Sequence, residues 1–144
     1  MQKNSQVIKI GNVDFKLDKD KYVYKFNLGE KRISIYLNIE EESSVFIKYK
    51  NACEKLLNNF EEKYKEILKE CADKLTVTAN IWNEEDEHII TKEEFIQRIS
   101  KSDVEIYFIY DSLNFDVLDD DNLFLGHTIT YSRNLDTNEV SVDI

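Results

Sequence analysis

Tyr22, Tyr24, Phe26 and Leu28 occupy every second position of one stretch, with Val23, Lys25 and Asn27 between them. Ile33, Ile35, Leu37 and Ile39 then alternate with Arg32, Ser34, Tyr36 and Asn38. A period of two sends successive side chains to opposite faces of a strand, so each apolar set shares one face. The intervening Leu28-Gly29-Glu30-Lys31 predicts a tight hairpin, with Gly29 free to take the positive φ such turns require. Val13, Phe15 and Leu17 predict an earlier strand, turned by Asp18-Lys19-Asp20.

Beyond these strands the period lengthens. Val45, Tyr49, Ala52, Cys53, Leu56, Leu57 and Phe60 recur at three and four. Tyr64, Ile67, Leu68, Cys71, Ala72, Leu75 and Ala79 continue the rhythm, which is that of an amphipathic helix. One unbroken helix over residues 44–82 would run about 57 Å at 1.5 Å per residue. A domain of this size spans only roughly 30–35 Å, so a break is expected. Asn58-Asn59 is the place for it, since Asn tolerates the left-handed conformation and Asn59 offers a cap with Glu62 three residues on. Thr91-Lys92-Glu93-Glu94 opens a short third helix as a capping box, with Phe95, Ile96 and Ile99 as its buried side.

Alternation returns at Val104, Ile106, Phe108 and Tyr110, at Leu113, Phe115 and Val117, and at Ile129, Tyr131 and Arg133. Val140, Val142 and Ile144 close the series. The order predicts an α+β fold. It comprises an antiparallel sheet of about six or seven strands, in an N-terminal and a C-terminal meander, with two or three helices packed on one face. No repeat, linker or low-complexity tract divides residues 1–144, which read as a single domain.

Charge narrows the possible partners. The chain has 29 acidic and 19 basic residues, a formal net charge of −10. Such a surface repels nucleic acid and anionic membranes and favours a basic protein surface, although plain solubility explains acidity as well. No apolar stretch approaches the ~18 residues of a membrane span, and the expected compartment is the cytoplasm. The chain is expected to act as a monomer or homodimer.

The acidic turn at residues 119–122, followed by Gly126-His127, gathers Asp119, Asp121 and His127 as candidate ligands for a divalent metal. The spacing does not fit a calcium loop, because Leu123 and Phe124 interrupt the series of oxygens. A solvated hairpin turn is the simpler reading. Cys53 and Cys71 lie on apolar helical stripes, where a thiol behaves as a small buried hydrophobe. No nucleophile elbow, phosphate-binding loop, dinucleotide fingerprint or zinc-protease motif is present. No catalytic residue and no cofactor are therefore expected. Tyr22, Tyr24, Tyr36, Tyr107 and Tyr131 lie on predicted strands and form the candidate interaction set, since tyrosine offers contact area and a hydroxyl at low entropic cost.

Three ordered segments resemble a bacterial family known only as domain of unknown function 2262. They are Leu75 to Trp82 with its Ala79-Asn80-Ile81-Trp82, then Ile90-Thr91-Lys92-Glu93-Glu94-Phe95-Ile96-Gln97-Arg98-Ile99, then the acidic turn with Leu123-Phe124-Leu125-Gly126-His127-Thr128-Ile129. Asp120 stands where the family often has glycine, and Leu125 where it often has an aromatic residue. The resemblance implies a small bacterial domain without an established activity and supplies no catalytic residue. The functional expectation is a non-enzymatic protein-interaction module, in its most specific form an acidic immunity-type protein that neutralises a basic toxin. The alternative is a metal-binding domain or metal-dependent enzyme centred on the acidic turn.

Overall fold

A computed structural model describes residues 5–40, 42–85, 88–119 and 123–144. Four strands come first: β1 (Val7–Ile10), β2 (Val13–Asp18), β3 (Lys21–Leu28) and β4 (Lys31–Asn38). Three helices follow: α1 (Ser43–Leu57), α2 (Phe60–Trp82) and α3 (Lys92–Ile99). The chain then returns to strands: β5 (Val104–Ile109), β6 (Ser112–Val117), β7 (Ile129–Asn134) and β8 (Val140–Asp143).

The eight strands form one sheet in sequence order, β1 to β8. Six or seven antiparallel strands were expected, and the sheet departs from this in two ways. The added strand is β1, only four residues long, which pairs Ile8 with Phe15 and Ile10 with Val13. One pair is parallel: β4 meets β5 with Ile33 opposite Val104, Ile35 opposite Ile106 and Leu37 opposite Phe108. Parallel neighbours cannot be joined by a hairpin. All three helices lie in the crossover between them, which joins the two meanders.

The predicted hairpin is present. Leu28 pairs with Lys31 around Gly29, whose φ is +64°. The helix break also falls where expected, with Asn59 at φ +77°. Its side chain makes no capping hydrogen bond, however. An N-cap side chain reaches the first-turn N–H groups from an extended backbone, which Asn59 does not have, and Glu61 and Glu62 oppose the positive helix end instead. At α3 the Thr91 hydroxyl accepts the Glu94 N–H at 3.1 Å, as the capping box predicts.

Register divides each strand into two sets. One set runs through Phe15, Tyr22, Ile33, Ile35, Leu37, Val104, Ile106, Phe108, Leu113, Phe115, Val117, Ile129 and Tyr131, all buried. The helix–strand ring contacts fall on this set and its partly buried member Phe26. Phe46 meets Tyr22, Phe60 meets Phe26, Tyr49 meets Phe108 and Tyr64 stacks on Phe115. Each such side chain contributes roughly 1.5–3 kcal/mol through burial alone. No helix among the described residues is long and apolar enough to cross a membrane.

Candidate functional site

The second register set forms the opposite face of the sheet, which carries none of those four helix–strand ring contacts and is termed the outer face. One row of neighbours crosses nearly the whole sheet: Lys16, Val23, Tyr36, Tyr107, Asn114, Ser132 and Ser141. A second row runs Lys25, Ser34, Glu105, Asp116, Thr130 and Asp143. Directly opposed side chains on one face lie close enough to interact, and these do.

Tyr36 and Tyr107 stack at 4.9 Å with planes 13° apart, at the parallel seam between the meanders. Lys21 places its ammonium 5.6 Å from the Tyr36 ring centre. The Tyr107 hydroxyl donates to Glu105. Ser132 donates to the Asn114 side chain at 2.7 Å, and Thr130 donates to Asp116 at 3.2 Å. Burial, then the Glu105 carboxylate, push the Tyr107 phenol well above its usual range, so it stays protonated and acts as a donor. Burial also raises Asp116; Thr130 opposes the shift and Glu105 adds to it. The arrangement presents a fixed set of donors, acceptors and ring faces.

Charge divides at the same seam. The outward positions of β1 to β4 carry Lys9, Lys16, Lys21, Lys25 and Arg32 against Asp14 and Asp18. Those of β5 to β8 carry Glu105, Asp116 and Asp143, and among the described residues no base. A chain acidic overall thus has one outer face that is basic on one side and acidic on the other.

The five candidate tyrosines separate between the two faces. Tyr36 and Tyr107 lie on the outer row. Tyr22 and Tyr131 are each only 3% exposed on the inner set. Tyr22 donates to the Ser5 carbonyl, and Tyr24 lies between Phe15 and Phe26. Glu105, Asn114, Asp116, Thr130 and Ser132 were not among the candidates. Their polar alternation was visible, but the pairing that gathers them into rows was not.

Two of the three metal candidates lie within the described residues. The Asp119 carboxylate accepts N–H groups from Leu123 at 2.6 Å, Phe124 at 2.6 Å and Gly126 at 3.0 Å. Asp121 lies outside the described residues. His127 is exposed, and its ring meets Trp82 edge-on at 5.3 Å. Among the described residues no three His, Cys, Asp or Glu side chains gather as a metal site. Both Asp119 oxygens thus hold the loop, and two of the three N–H groups belong to buried residues. Cys53 and Cys71 are buried, and burial pushes both thiols up to about 12, which keeps them protonated and unreactive.

The three segments quoted for the family resemblance meet at one junction. The Asn80 amide donates to the Ile90 carbonyl at 3.0 Å and accepts the Ile90 N–H at 2.8 Å, tying the end of α2 to the entry of α3. Trp82 meets Phe124 at 5.7 Å, and Phe95 meets Phe124 at 6.1 Å. Asn83 donates to the Leu123 carbonyl at 2.7 Å. The Asn80, Trp82 and Phe95 contacts each join one segment to another, and Asn83, the next residue after the first segment, adds a further tie, so the signature encodes how helix ends and the acidic turn lock together.

No curated protein and no solved structure matches the chain. Residues 9–144 match the family described as uncharacterized protein conserved in bacteria (DUF2262), and the chain belongs to that family.

Proposed function

We propose that the protein is a non-enzymatic interaction module that docks a protein partner on the outer face of its sheet. The observation that carries this reading is the division of charge across the Tyr36–Tyr107 stack. Opposed charge steers encounter and fixes orientation, while a central aromatic pair supplies the contact area that dominates binding energy. The reading takes the helices to cover the inner set and leave the outer set to the partner, which the four helix–strand ring contacts support.

The partner implied is basic where it meets Glu105, Asp116 and Asp143, and acidic where it meets Lys16 and Lys25. An immunity-type role, with the acidic half held against a basic toxin, is the most specific form. The test begins with capture from the native bacterium, followed by binding of the purified partner to wild type and to Glu105→Lys/Tyr107→Ala. Binding is expected to fall at least tenfold in that variant and to weaken with salt. Ile81→Asp, at an exposed position on α2, is expected to bind like wild type. Unchanged binding in the sheet variant, or loss confined to Ile81→Asp, rejects the outer face. Co-expression with a basic toxin encoded beside the gene tests the immunity form directly.

A further inference from the structure

The inner register of β7 reads Ile129, Tyr131, Arg133. The first two are buried; the third places a guanidinium where its neighbours on β6 and β8, Leu113 and Val140, are apolar. Its Nε is buried and has no hydrogen-bond partner among the described residues. A buried donor left unpaired is costly and uncommon in folded proteins.

Arg133 faces a cleft of about 420 Å³ between α1, α2 and the ends of β6 and β7. That volume is in the range of small-molecule sites, roughly 300–1,000 Å³. Lys48, Lys55 and Lys63 line it as well. Lys48 is held by Asp111 at 3.2 Å and Asp136 at 2.8 Å. Lys63 donates to the Lys55 carbonyl, and among the described residues no carboxylate pairs with Lys55, Lys63 or Arg133. Leu56, Ile67 and Leu113 supply an apolar wall. Glu66 and Glu70 also face the cleft and set an upper limit on the negative charge it accepts.

We propose that this cleft binds a small organic monocarboxylate, its head on the Arg133 guanidinium between Lys55 and Lys63 and its apolar body against Leu56, Ile67 and Leu113. The planar guanidinium matches a carboxylate through two parallel N–H bonds, here from its terminal Nη groups, with the buried Nε behind them. Glu66 and Glu70 disfavour a polyphosphate by like-charge repulsion. The cleft is built on the inner set and is independent of the outer-face reading.

The test follows the Arg133 Nε–H resonance in a ¹H–¹⁵N spectrum of the full chain while benzoate, 4-methylpentanoate, inorganic phosphate or ATP is added. Saturable shifts are expected with the two carboxylates, with affinity at least tenfold above that for phosphate or ATP. Lys55→Gln, an exposed substitution that leaves the fold intact, is expected to weaken carboxylate binding about threefold or more. Arg133→Gln is expected to abolish it. No saturable shift with either carboxylate, equal response to ATP, or full binding by Arg133→Gln overturns the proposal. An Arg133→Gln protein that fails to fold leaves the Lys55→Gln titration to decide, and unchanged affinity there overturns it too.

Discussion

Two rows of side chains cross the same strands one residue apart. Tyr24, Ile35, Ile106, Phe115, Tyr131 and Val142 form the inner row; Val23, Tyr36, Tyr107, Asn114, Ser132 and Ser141 form the outer one. The backbone hydrogen bonds are common to both, so the ladder does not distinguish them. What differs is where free energy enters. Ile35, Ile106 and Phe115 are wholly buried, whereas Tyr36 and Tyr107 stay partly exposed and stack on each other, with the Tyr107 hydroxyl donating sideways to Glu105. A slip of one residue would exchange the two sets, and the inner row forbids it. The outer row carries no such constraint and is the row that the proposed function assigns to a partner.

The sharpest test of this contrast is Phe115→Ala. Phe115 stacks on Tyr64 and meets Tyr131 edge-on, so truncation opens a cavity where α2 meets the sheet. A loss of about 3–5 kcal/mol is expected in urea unfolding, with the slope of the transition unchanged. A loss below about 1 kcal/mol would falsify the placement of the core on the inner row.

Asp119→Ala comes next and separates a structural carboxylate from a ligating one. It leaves the N–H groups of Leu123, Phe124 and Gly126 without their acceptor, at an expected cost of about 1–3 kcal/mol. Hydrogen exchange at Leu123 and Phe124 is expected to accelerate, and millimolar calcium or magnesium to leave the wild-type melting temperature unchanged. A cation-dependent rise in melting temperature that vanishes in the variant would return the turn to metal binding.

Tyr107→Ala removes a ring stack and a hydroxyl from the outer row. Cross-strand pairs of this kind contribute about 0.2–1 kcal/mol, so unfolding should shift only slightly while partner binding falls. A destabilisation matching that of Phe115→Ala would make the outer face a second core and end the distinction.

Much of this contrast was legible in the chain. Alternation through Tyr22 to Ile39 gave both the hairpin and its register, because a buried face tolerates only one phase. The two asparagines marked the helix break through their tolerance of positive φ. The parallel seam was hidden, since periodicity says which face a residue takes but not which strand lies beside it. β1 was hidden because four residues carry too little pattern. Asp119 was ambiguous in the chain for a chemical reason: a carboxylate in an acidic turn looks the same in sequence whether it holds a cation or three backbone N–H groups. Arg133 did leave a signal, a charge in phase with Ile129 and Tyr131, but the cleft it faces is built by helices distant in sequence.

Asp116→Asn has the smallest expected effect and the clearest sign. Burial, with Glu105 opposite on β5, raises the folded carboxyl above its ordinary value, while the Thr130 hydroxyl partly offsets that. The folded state therefore holds this proton more tightly than the unfolded chain. As pH rises from the unfolded value through the folded one, the native state binds the extra proton and stability falls; above that window the penalty is complete. The amide retains an oxygen for Thr130 and carries no charge. The variant should be slightly more stable than wild type at pH 7, by at most about 0.5 kcal/mol because solvent screens the site. The advantage should shrink as pH drops below the ordinary carboxylate range. Paired thermal melts from pH 3 to pH 7 measure it. An advantage that grows on acidification would mean that Asp116 is stabilised as an anion on the outer row, and that its negative charge is structural instead of being held in place for a partner.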